Sequence, residues 1–592
     1  MTAAAAGPAE MVIERDVRIP MADGVALAAD IFRPSAGPPV PVIMSMGPYG
    51  KGIHFRDWQR AEWDRLITRH PEVLDGSSGQ HMAWELVDPE RWVLHGYAVV
   101  RVDSRGAGRS PGYLDCLSPQ ETTDFCQAIE WAAAQPWSTG KIGLCGVSYH
   151  AMTQWLAAAR QPPHLAAIIV WEGAHDFYRD VTHHGGIFSS VFPRLWYQRR
   201  VVGNQHGQGA RGLADRGVGG LAAGPETLSE EALQARRADL PAAAREHHLD
   251  DAFHRSRTAD LSRVTLPLLS AANWAGFGLH ARGNFTGFTG AASADKWLQV
   301  HGGRHEWFYL PQSTTLQRRF FDCFLKGLDN GWPAQPRVQL HIRRPGERFE
   351  HRNEQHWPLA RTRWTELYLD AAGRGLRWEP PGPHGTVTLA ALGPGVTFRS
   401  GPLRAETELT GPLAAALYVS TSTADADLFV TLRAFLPGGT EVVFDGASDP
   451  AAPLAQGCLR LSRRHTDPAR STPWQPYHTH DRIEPAQPGR IYRVDIELWP
   501  TCIVLPPGAT LALTVTGRDF ARGTTEATTD PEHLSGRGSG TFLHCDPADR
   551  PAPTFTGQTT LHTGGSTPAR LLLPVIPAHA APRSSMRPGR QR

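Results

Sequence analysis

The sequence predicts an α/β domain followed by an all-β domain. Three continuous apolar runs, 41–46 (PVIMSM), 96–102 (GYAVVRV) and 165–171 (LAAIIVW), have the composition of parallel strands that are covered on both faces. An amphipathic helical pattern at 121–134 stands between two of them, as in strand–helix–strand units. From about residue 335 onward, short alternating strands separated by Gly and Pro turns predict a β-sandwich of the jelly-roll type.

The length of 592 residues exceeds what one hydrophobic core supports, so several domains are expected. The first residues are small, and the end of the chain has no apolar residues to bury, which predicts disorder at both ends. A polar, helical segment with Gly-rich breaks predicts a cap inserted into the sheet. The predicted organisation is a disordered N-terminus (1–14), an α/β domain (15–176 and 263–332), a helical cap (177–262), a C-terminal β-sandwich (333–575) and a disordered tail (576–592).

The composition excludes several classes of protein. The chain has 60 basic and 58 acidic side chains and a formal net charge of +2, so no electrostatic field favours nucleic acid or a membrane surface. The 7 cysteines are odd in number and form no CxxC pair, which favours a reduced, cytoplasmic chain over a disulfide scaffold. The N-terminus lacks the basic and apolar regions of a signal peptide, and no apolar run is long enough to span a bilayer.

The stretch 141–155 (KIGLCGVSYHAMTQW) predicts a buried strand, a sharp turn and a helix. A serine at such a turn, here Ser148, has its hydroxyl lifted clear of the sheet, and the helix behind it offers free backbone N–H groups to an anion. Gly146 removes a Cβ where the strand and the helix crowd. The stretch therefore predicts a nucleophile elbow, although His150 occupies the last position of the strict G-x-S-x-G pattern.

Two motifs resemble a known family of serine hydrolases. The string 146–151 (GVSYHA) resembles the G-x-S-Y-x-G elbow of the family of cocaine esterase, glutaryl acylase and X-Pro dipeptidyl peptidase, with Ala151 in place of glycine. The string 103–110 (DSRGAGRS) resembles the D-x-R-G-x-G-x-S segment of the same family. The similarity extends over nearly the whole chain. It implies an α/β-hydrolase fold with a helical cap and a C-terminal jelly roll, and it implies no cofactor.

The resemblance also implies the roles of individual residues. Ser148 is expected to attack an ester or amide carbonyl and form an acyl-enzyme. The hydroxyl of Tyr49, in the Pro-Tyr pair after the 41–46 strand, and the backbone N–H of Tyr149 are expected to hold the oxyanion. His305 matches the family's histidine by its position after the last strand of the sheet, and His301 is the alternative.

The acid of the expected triad departs from the family pattern. The family has W-Y-D after its seventh strand, whereas this chain has Gly276 where the aspartate would be. Glu172, at the end of the 165–171 strand, could orient the imidazole, or it could form an ion pair with a cap arginine. Asp176 could act less directly. The site could also work as a dyad, with a backbone carbonyl or water orienting His305.

The remaining expectations concern ligands. Aromatic residues at strand ends predict an acyl pocket, and the predicted substrate-binding residues are Trp171, Trp274 and Phe277. A metal site is not expected, because the paired histidines 183–184 and 247–248 are adjacent in sequence and no carboxylate accompanies them at ligand spacing.

The predicted function is a serine hydrolase that acts on a small-molecule acyl ester or amide, with no nucleic-acid or membrane partner. An acyltransferase on the same site is one alternative. A catalytically weakened homologue that binds a ligand is another, supported by the missing aspartate. The family includes enzymes for esters, β-lactam amides and X-Pro peptides, so the substrate stays open. The sandwich face and the cap are compatible with a homodimer.

Overall fold

The computed structural model describes residues 10–380, 382–447, 449–522 and 536–577. Residues 1–9 and 578–592, for which the sequence predicts disorder, lie outside the described residues. The two disorder predictions are wrong at their inner ends. Met11–Pro20 and Arg570–Ile576 are both strands. Each is held by backbone pairing with a neighbouring strand, which the local composition of these residues does not reveal.

Ten strands form the sheet of the first domain: β1 (Met11–Pro20), β2 (Ala26–Pro34), β3 (Val40–Gly47), β4 (Ala98–Asp103), β5 (Ser138–Val147), β6 (Leu165–Trp171), β11 (Leu268–Asn273), β12 (Lys296–His301), β13 (Val338–Arg344) and β14 (Arg348–Glu354). Their order in space is β1-β2-β4-β3-β5-β6-β11-β12-β13-β14. The strands from β4 to β13 in that order pair in parallel, and the hairpins at both edges pair antiparallel. The carboxyl ends of β5, β6, β11 and β12 therefore meet at one edge of the sheet, where ligands bind in such folds.

Helices cover both faces of this sheet and bury the apolar strands. The helix at 119–133 illustrates the local rules: Ser118 caps it by accepting the N–H of Glu121, and Pro119 occupies its first turn. The helix that follows β5 is buried along nearly its whole length, since it lies against the centre of the sheet. The α-helices of the domain outside the cap are α1 (Phe55–Trp58), α2 (Arg60–Arg69), α3 (Pro89–Val93), α4 (Pro119–Ala133), α5 (Tyr149–Arg160), α10 (Ala281–Gly290) and α11 (Pro311–Phe324).

The hairpin of β13 and β14 corrects the predicted domain boundary. The sequence analysis places residues from 333 onward in the sandwich, but β13 pairs in parallel with β12 and so extends the first sheet. Val338 and Leu340 pack in one apolar cluster with Leu298 and Val300 of β12. The hairpin joins this sheet because β12 would otherwise be an edge strand, with its backbone groups unpaired along one side. Short alternating strands look alike in either sheet, so the pattern could not assign this hairpin.

The cap lies between β6 and β11, as predicted, but it is built from short pieces. Its longest α-helix in the described chain is Leu240–Glu246, with seven residues, because Gly and Pro interrupt the segment repeatedly. The cap also contains two small antiparallel ribbons, two short π-helical turns and several 3₁₀ turns. Its elements are β7 (His183–His184), β8 (Ile187–Phe188), α6 (Phe192–Trp196), β9 (Ala214–Asp215), β10 (Gly220–Leu221), α7 (Glu230–Gln234), α8 (Leu240–Glu246) and α9 (Ala252–Arg255).

The C-terminal domain is an all-β structure around its own apolar core. Its longest strand, Thr407–Thr421, pairs antiparallel with Tyr492–Leu505 over most of its length and so forms the spine of the domain. Inward-facing Leu, Val and Ile side chains from these strands fill the core. The elements are β15 (Arg363–Asp370), β16 (Gly375–Arg377), β17 (Gly385–Ala390), β18 (Val396–Ser400), β19 (Thr407–Thr421), β20 (Asp427–Phe435), β21 (Glu441–Val442), β22 (Ala455–Arg460), β23 (Tyr492–Leu505), β24 (Thr510–Thr516), α12 (Ala552–Phe555), β25 (Gln558–Thr563) and β26 (Arg570–Ile576).

The sandwich packs directly on the hydrolase domain beside the sheet edge. Phe277, in the loop after β11, stacks on Trp499 of β23 with ring centroids 5.6 Å apart. Arg282 of α10 forms an ion pair with Glu497 at 3.0 Å. All seven cysteines are free. In the part of the chain that the structure describes, no helix has both the length and the apolar content needed to cross a membrane.

Several buried histidines lie where the cap meets the sandwich, among them His183, His184, His254, His478 and His480. Tyr178 packs among them, with its ring centroid 4.6 Å from that of His183 and 5.2 Å from that of His480. Burial lowers the pKa of His184 and of His478 to about 3, and neighbouring cationic groups add to this effect. These interface histidines are therefore neutral in the folded protein at neutral pH.

We expect the stability of the protein to fall as the pH is lowered from 7.5 to 5.0. In the unfolded chain these histidines take up protons as the pH falls below the ordinary histidine pKa of 6.5. In the folded protein they stay neutral until the pH is much lower. Their stabilising contribution is thus complete above about pH 6.5 and is lost progressively below it. Measurement of Tm by calorimetry across this range tests the prediction.

The matched variants are His478→Gln, which removes one buried histidine, and His356→Gln, which removes an exposed one. His478→Gln should flatten the dependence of Tm on pH, and His356→Gln should leave it unchanged. A Tm that does not change between pH 7.5 and 5.0, or an equal slope in both variants, would show that the interface histidines do not control acid stability.

Candidate active site

Ser148 stands on a strained turn between β5 and α5. Its backbone angles are φ 58° and ψ −117°, in a region that non-glycine residues rarely adopt. The turn is tight because Gly146 has no side chain: a Cβ there would lie 2.6 Å from the Cβ of His150. The N–H of Ser148 donates to the carbonyl oxygens of Trp171 and Glu172 at 3.2 and 3.1 Å, which fixes the turn to the end of β6. This is the geometry of a nucleophile elbow.

Ala151, which replaces the family's glycine, fits against the sheet. A Cβ added at Gly173 would lie 2.5 Å from the Cβ of Ala151, so these two segments are already in close contact. The space that a glycine at position 151 would leave is provided by Gly173, which has no side chain. The helix keeps its close approach, and the substitution leaves the elbow intact.

Two groups next to Ser148 can donate to an anion. Tyr149 is the first residue of α5, so its N–H has no acceptor within the helix. The hydroxyl of Tyr49 accepts a hydrogen bond from Nε1 of Trp196 at 2.7 Å. An indole N–H only donates, so the proton of the Tyr49 hydroxyl stays available for a ligand. Burial raises the pKa of Tyr49 well above its usual value, so this proton is retained at neutral pH.

Glu172 meets His305 at the carboxyl ends of β6 and β12. Oε2 of Glu172 lies 2.8 Å from Nδ1 of His305, the distance of a close ion pair. Glu172 is fully buried and has a left-handed backbone, φ 46°, and its N–H donates to the carbonyl of Ala271 in β11 at 2.7 Å. The contact that the sequence analysis considers for the missing aspartate is therefore present, and it comes from a neighbouring strand.

The other candidates for this contact lie elsewhere. Asp176 forms an ion pair with Arg179 at 2.9 Å inside the cap. His301 is buried in the sheet, and its Nε2 lies 3.4 Å from the second carboxylate oxygen of Glu172. Within the described ranges, the ion-pair partners of Glu172 are thus the two histidines, and the pairing with a cap arginine that the sequence left open does not occur.

His280 was not foreseen by the sequence analysis. Its Nε2 lies 3.0 Å from Oγ of Ser148, within hydrogen-bond distance. The residue precedes α10, at the end of the loop that begins with Asn273 and contains Gly276. One of 27 histidines, with no neighbouring motif, it carries no signal that a single sequence could reveal. The loop that lacks the family's aspartate therefore supplies an imidazole instead.

A pocket of about 360 Å³ opens at Ser148 and includes Tyr49, His280 and His305 in its lining. Three of its lining residues, Ala447, Thr541 and Phe542, belong to the C-terminal domain. Its aromatic and aliphatic lining consists of Trp58, Trp84, Phe192, Leu195, Trp196, Phe277, Leu279 and Phe542, and its charged lining includes Glu62, Glu85, Arg199, Arg200 and Arg304.

Of the three predicted substrate-binding residues, only Phe277 lines this pocket. The prediction is wrong for Trp171 and Trp274, because both side chains are fully buried in apolar cores. Trp171 belongs to β6 and packs on His301 and Phe308. Large aromatic residues at strand ends face either the pocket or the core, and only the fold decides between these two.

Comparisons with known proteins find relatives that match nearly the whole chain. Two family models match: the X-Pro dipeptidyl-peptidase (S15 family) at 23–307 and the X-Pro dipeptidyl-peptidase C-terminal non-catalytic domain at 330–572. Cocaine esterase of Rhodococcus sp. (strain MB1 Bresler) is 24% identical over 95% of this chain and 98% of its own length. The structure of a CocE/NonD family hydrolase from Staphylococcus aureus has a TM-score of 0.81 and 32% identity, covering 96% of this chain and 94% of that one.

The chain belongs to the CocE/NonD family of hydrolases. The predicted resemblance and the predicted fold, an α/β-hydrolase domain with a cap and a C-terminal β-sandwich, are confirmed. A further neighbour, an α-amino acid ester hydrolase, shares the fold with a TM-score of 0.64 at 17% identity. The chain is a serine hydrolase by these relationships, and none of them supports the acyltransferase alternative.

The electrostatics of this CocE/NonD site distinguish its two histidines. Burial alone would raise the pKa of the Glu172 carboxyl, but the charge of His305 and the contact with it bring the value down to about 2. Burial alone would lower the pKa of His305, but the charge of Glu172 outweighs it and the pKa is raised. For His280, burial and the neighbouring His305 lower the pKa to about 3. The imidazolium form is therefore stabilised at His305 and not at His280.

Glu85 is a second acid in the pocket that the sequence analysis missed. Its backbone is also left-handed, φ 64°, and its carbonyl accepts the N–H of Val147, next to the nucleophile, at 3.0 Å. Burial raises the pKa of its carboxyl to about 7, against the opposing charge of His305. The residue lies in the stretch 52–90, which is rich in Trp, His and Arg and carries no motif that marks Glu85 itself.

Three side chains of the site, Glu172, His280 and His305, offer ligand atoms that lie within 4.8 Å of one another. A carboxylate and two imidazoles are a donor set that zinc accepts. These side chains also contact one another and Ser148: Oε2 of Glu172 lies 2.8 Å from Nδ1 of His305, and Nε2 of His280 lies 3.0 Å from Oγ of Ser148. The absence of a metal stays a prediction of the sequence analysis.

We expect Tyr49→Phe to lower kcat by about a hundredfold with a smaller change in KM, as the loss of one oxyanion donor does. Trp196→Phe should lower kcat by about tenfold, because the phenol remains but loses the bond that aims it. Steady-state kinetics on a p-nitrophenyl ester measure both. Tyr113→Phe, at an exposed tyrosine, is the control. A change confined to KM would make Tyr49 a pocket residue without an oxyanion role.

We expect Glu172→Gln to change the pH profile as well as the rate. In the parent enzyme, kcat/KM should rise as His305 loses its proton, with a midpoint above 6.5 because its pKa is raised. Without the carboxylate charge the midpoint should move to lower pH. The plateau should fall by up to about ten-thousandfold, the loss caused by the analogous substitution in serine proteases.

The control for this measurement is Asp176→Asn, which removes a carboxylate paired with Arg179 inside the cap. It should keep both the midpoint and the plateau. An unchanged profile in folded Glu172→Gln would rule out Glu172 as the acid and would favour a dyad.

Proposed function

We propose that the protein is a carboxylic ester hydrolase with Ser148 as its nucleophile. The observation that carries the proposal is the strained elbow, whose Oγ opens into a mostly apolar pocket beside His305, which is in contact with the ionised carboxylate of Glu172. The elbow supplies the nucleophile, the pair supplies a base, and Tyr49 and Tyr149 supply donors for the oxyanion. No step of this chemistry calls for a cofactor.

Acylation follows from these positions. Oγ of Ser148 attacks the ester carbonyl, its proton passes to His305, and the carbonyl electron pair moves to the oxygen, which the Tyr149 N–H and the Tyr49 hydroxyl hold. The intermediate collapses, and His305 returns the proton to the departing alcohol. Glu172 stabilises the imidazolium between these two transfers, because its carboxylate is ionised and in contact with Nδ1.

The base in this proposal is His305, although Ser148 contacts His280 in the structure. A general base becomes a cation in the transition state, and of these two histidines His305 is the one in direct contact with a carboxylate. Both residues line the same pocket as Ser148. Catalytic hydrogen bonds are often long in an empty site and shorten when substrate binds.

The pocket supports an ester with a bulky apolar or aromatic acyl group as the substrate class. Its walls include the indole and phenyl rings of several Trp and Phe residues, which bind such groups by burying their apolar surface, beside the charged side chains of Arg199, Arg200 and Arg304. The relationship to cocaine esterase is in keeping with an esterase. Cleavage of amides or X-Pro peptides, a cytoplasmic location and a homodimer stay predictions of the sequence analysis.

We expect a fluorophosphonate probe to label Ser148 and Ser148→Ala to abolish both labelling and turnover of p-nitrophenyl esters. The fold should persist, because the hydroxyl at the mouth of a pocket contributes little packing. Ser262→Ala, at an exposed serine of the cap, should label and turn over normally. Intact-protein mass spectrometry and initial rates provide the readouts.

Two results would contradict the proposal. Folded Ser148→Ala with normal turnover would exclude this nucleophile. Absence of labelling in the parent protein would favour the weakened, ligand-binding homologue. Comparison of p-nitrophenyl esters with aminoacyl-proline anilides would separate esterase from X-Pro peptidase activity: higher kcat/KM on the anilides would overturn the ester assignment.

A further inference from the structure

Two imidazoles approach one serine hydroxyl in this site. Nε2 of His280 lies 3.0 Å from Oγ of Ser148, and the ring centroids of His280 and His305 lie 5.3 Å apart. A Ser–His–acid mechanism uses only one imidazole. The second one therefore needs its own explanation.

His280 is held in place by a firmly bonded loop. The N–H of Ala275 donates to the side chain of Asn273 at 2.9 Å, and the N–H of Gly276 donates to its backbone carbonyl at 3.1 Å. The N–H of His280 donates in turn to the carbonyl of Gly276 at 3.2 Å. The loop thus starts at the end of β11 and delivers the imidazole to Ser148 with its backbone fixed, as expected of a group with a defined task.

The environment of His280 suits a neutral imidazole. Its side chain is 5% exposed. Among the described residues no carboxylate forms an ion pair with His280: Glu172 is in contact with His305 instead, and Glu85 lines the same pocket. A neutral imidazole carries one N–H, and when that proton is on Nε2, His280 donates to Oγ of Ser148. A donor at this position stabilises negative charge on Oγ itself, as distinct from charge on the carbonyl oxygen.

We propose that His280 is a catalytic residue that donates from Nε2–H to Oγ of Ser148 and stabilises this oxygen as the leaving atom of deacylation. The proposal rests on the proposed function. In deacylation, water attacks the acyl carbon and His305 takes its proton. The C–Oγ bond then breaks, its electron pair goes to Oγ, and His305 returns the proton to Oγ. His280 keeps its own proton throughout.

This role affects the two half-reactions unequally. In acylation, Oγ loses negative charge as its bond to carbon forms, and a hydrogen bond to it lowers its nucleophilicity while it eases loss of the proton. In deacylation, Oγ gains negative charge as the bond breaks, so the donor helps directly. Loss of His280 should therefore slow deacylation more than acylation, and the acyl-enzyme should accumulate.

The test is pre-steady-state kinetics of His280→Ala and His280→Gln on a p-nitrophenyl ester. In His280→Ala, steady-state kcat should fall by about a hundredfold, as when one donor to a developing oxyanion is lost. A burst of p-nitrophenol close to one equivalent per active site should appear, with the acyl-enzyme visible by intact-protein mass spectrometry. His280→Gln, whose amide carries an N–H, should recover part of the rate and reduce the burst.

The rate of fluorophosphonate labelling, which tests attack by Ser148 alone, should fall by less than about tenfold in His280→Ala. Loss of labelling together with loss of the burst, in a variant with parental Tm, would show that His280 is the general base and would overturn the proposal. An unchanged kcat would overturn it as well. If His280→Ala does not fold, the burst of His280→Gln decides. Failure of the parent enzyme to be labelled would count against the proposed function. It would not bear on the separate roles assigned to His280 and His305.

Discussion

The contact between Glu172 and His305 is the interaction on which the site depends. An ionised carboxylate without exposure to water is strongly unfavourable unless it is paired, so the fold must bring the imidazole to it. The same strand end also holds the nucleophile, because the carbonyl of Glu172 accepts the N–H of Ser148 at 3.1 Å. Glu172 therefore links the two groups, because its side chain contacts His305 and its backbone carbonyl holds the turn that carries Ser148.

The left-handed backbone is a recurring device around this contact. Ser148, Glu172 and Glu85 all have φ between 46° and 64°, and each ends or borders a strand at the pocket. Such conformations cost free energy that packing elsewhere must offset, and they occur where a side chain has to leave the direction of its strand. Three of them in one site indicate that the carboxyl edge of the sheet is shaped for chemistry rather than for stability.

The sequence was sufficient for those features that are local. The elbow at Ser148 follows from a strand, a small residue and a helix in succession, and Glu172 follows from its place at the end of a buried strand. His280 and Trp196 could not be found in this way, because their contacts join residues 132 and 147 positions apart. The hairpin at 338–354 was misassigned for a related reason, since an alternating strand does not reveal which of two sheets it will join.

Because the C-terminal domain supplies part of the pocket wall, changes in substrate selection can occur separately from changes in the reacting residues. Ala447, Thr541 and Phe542 contact the space where a substrate would lie, but no bond of the reaction passes through them. Substitutions there can reshape what enters while the residues that react stay untouched, since they come from a different part of the chain. A family built in this way can diversify its substrates through its sandwich and preserve its chemistry through its sheet.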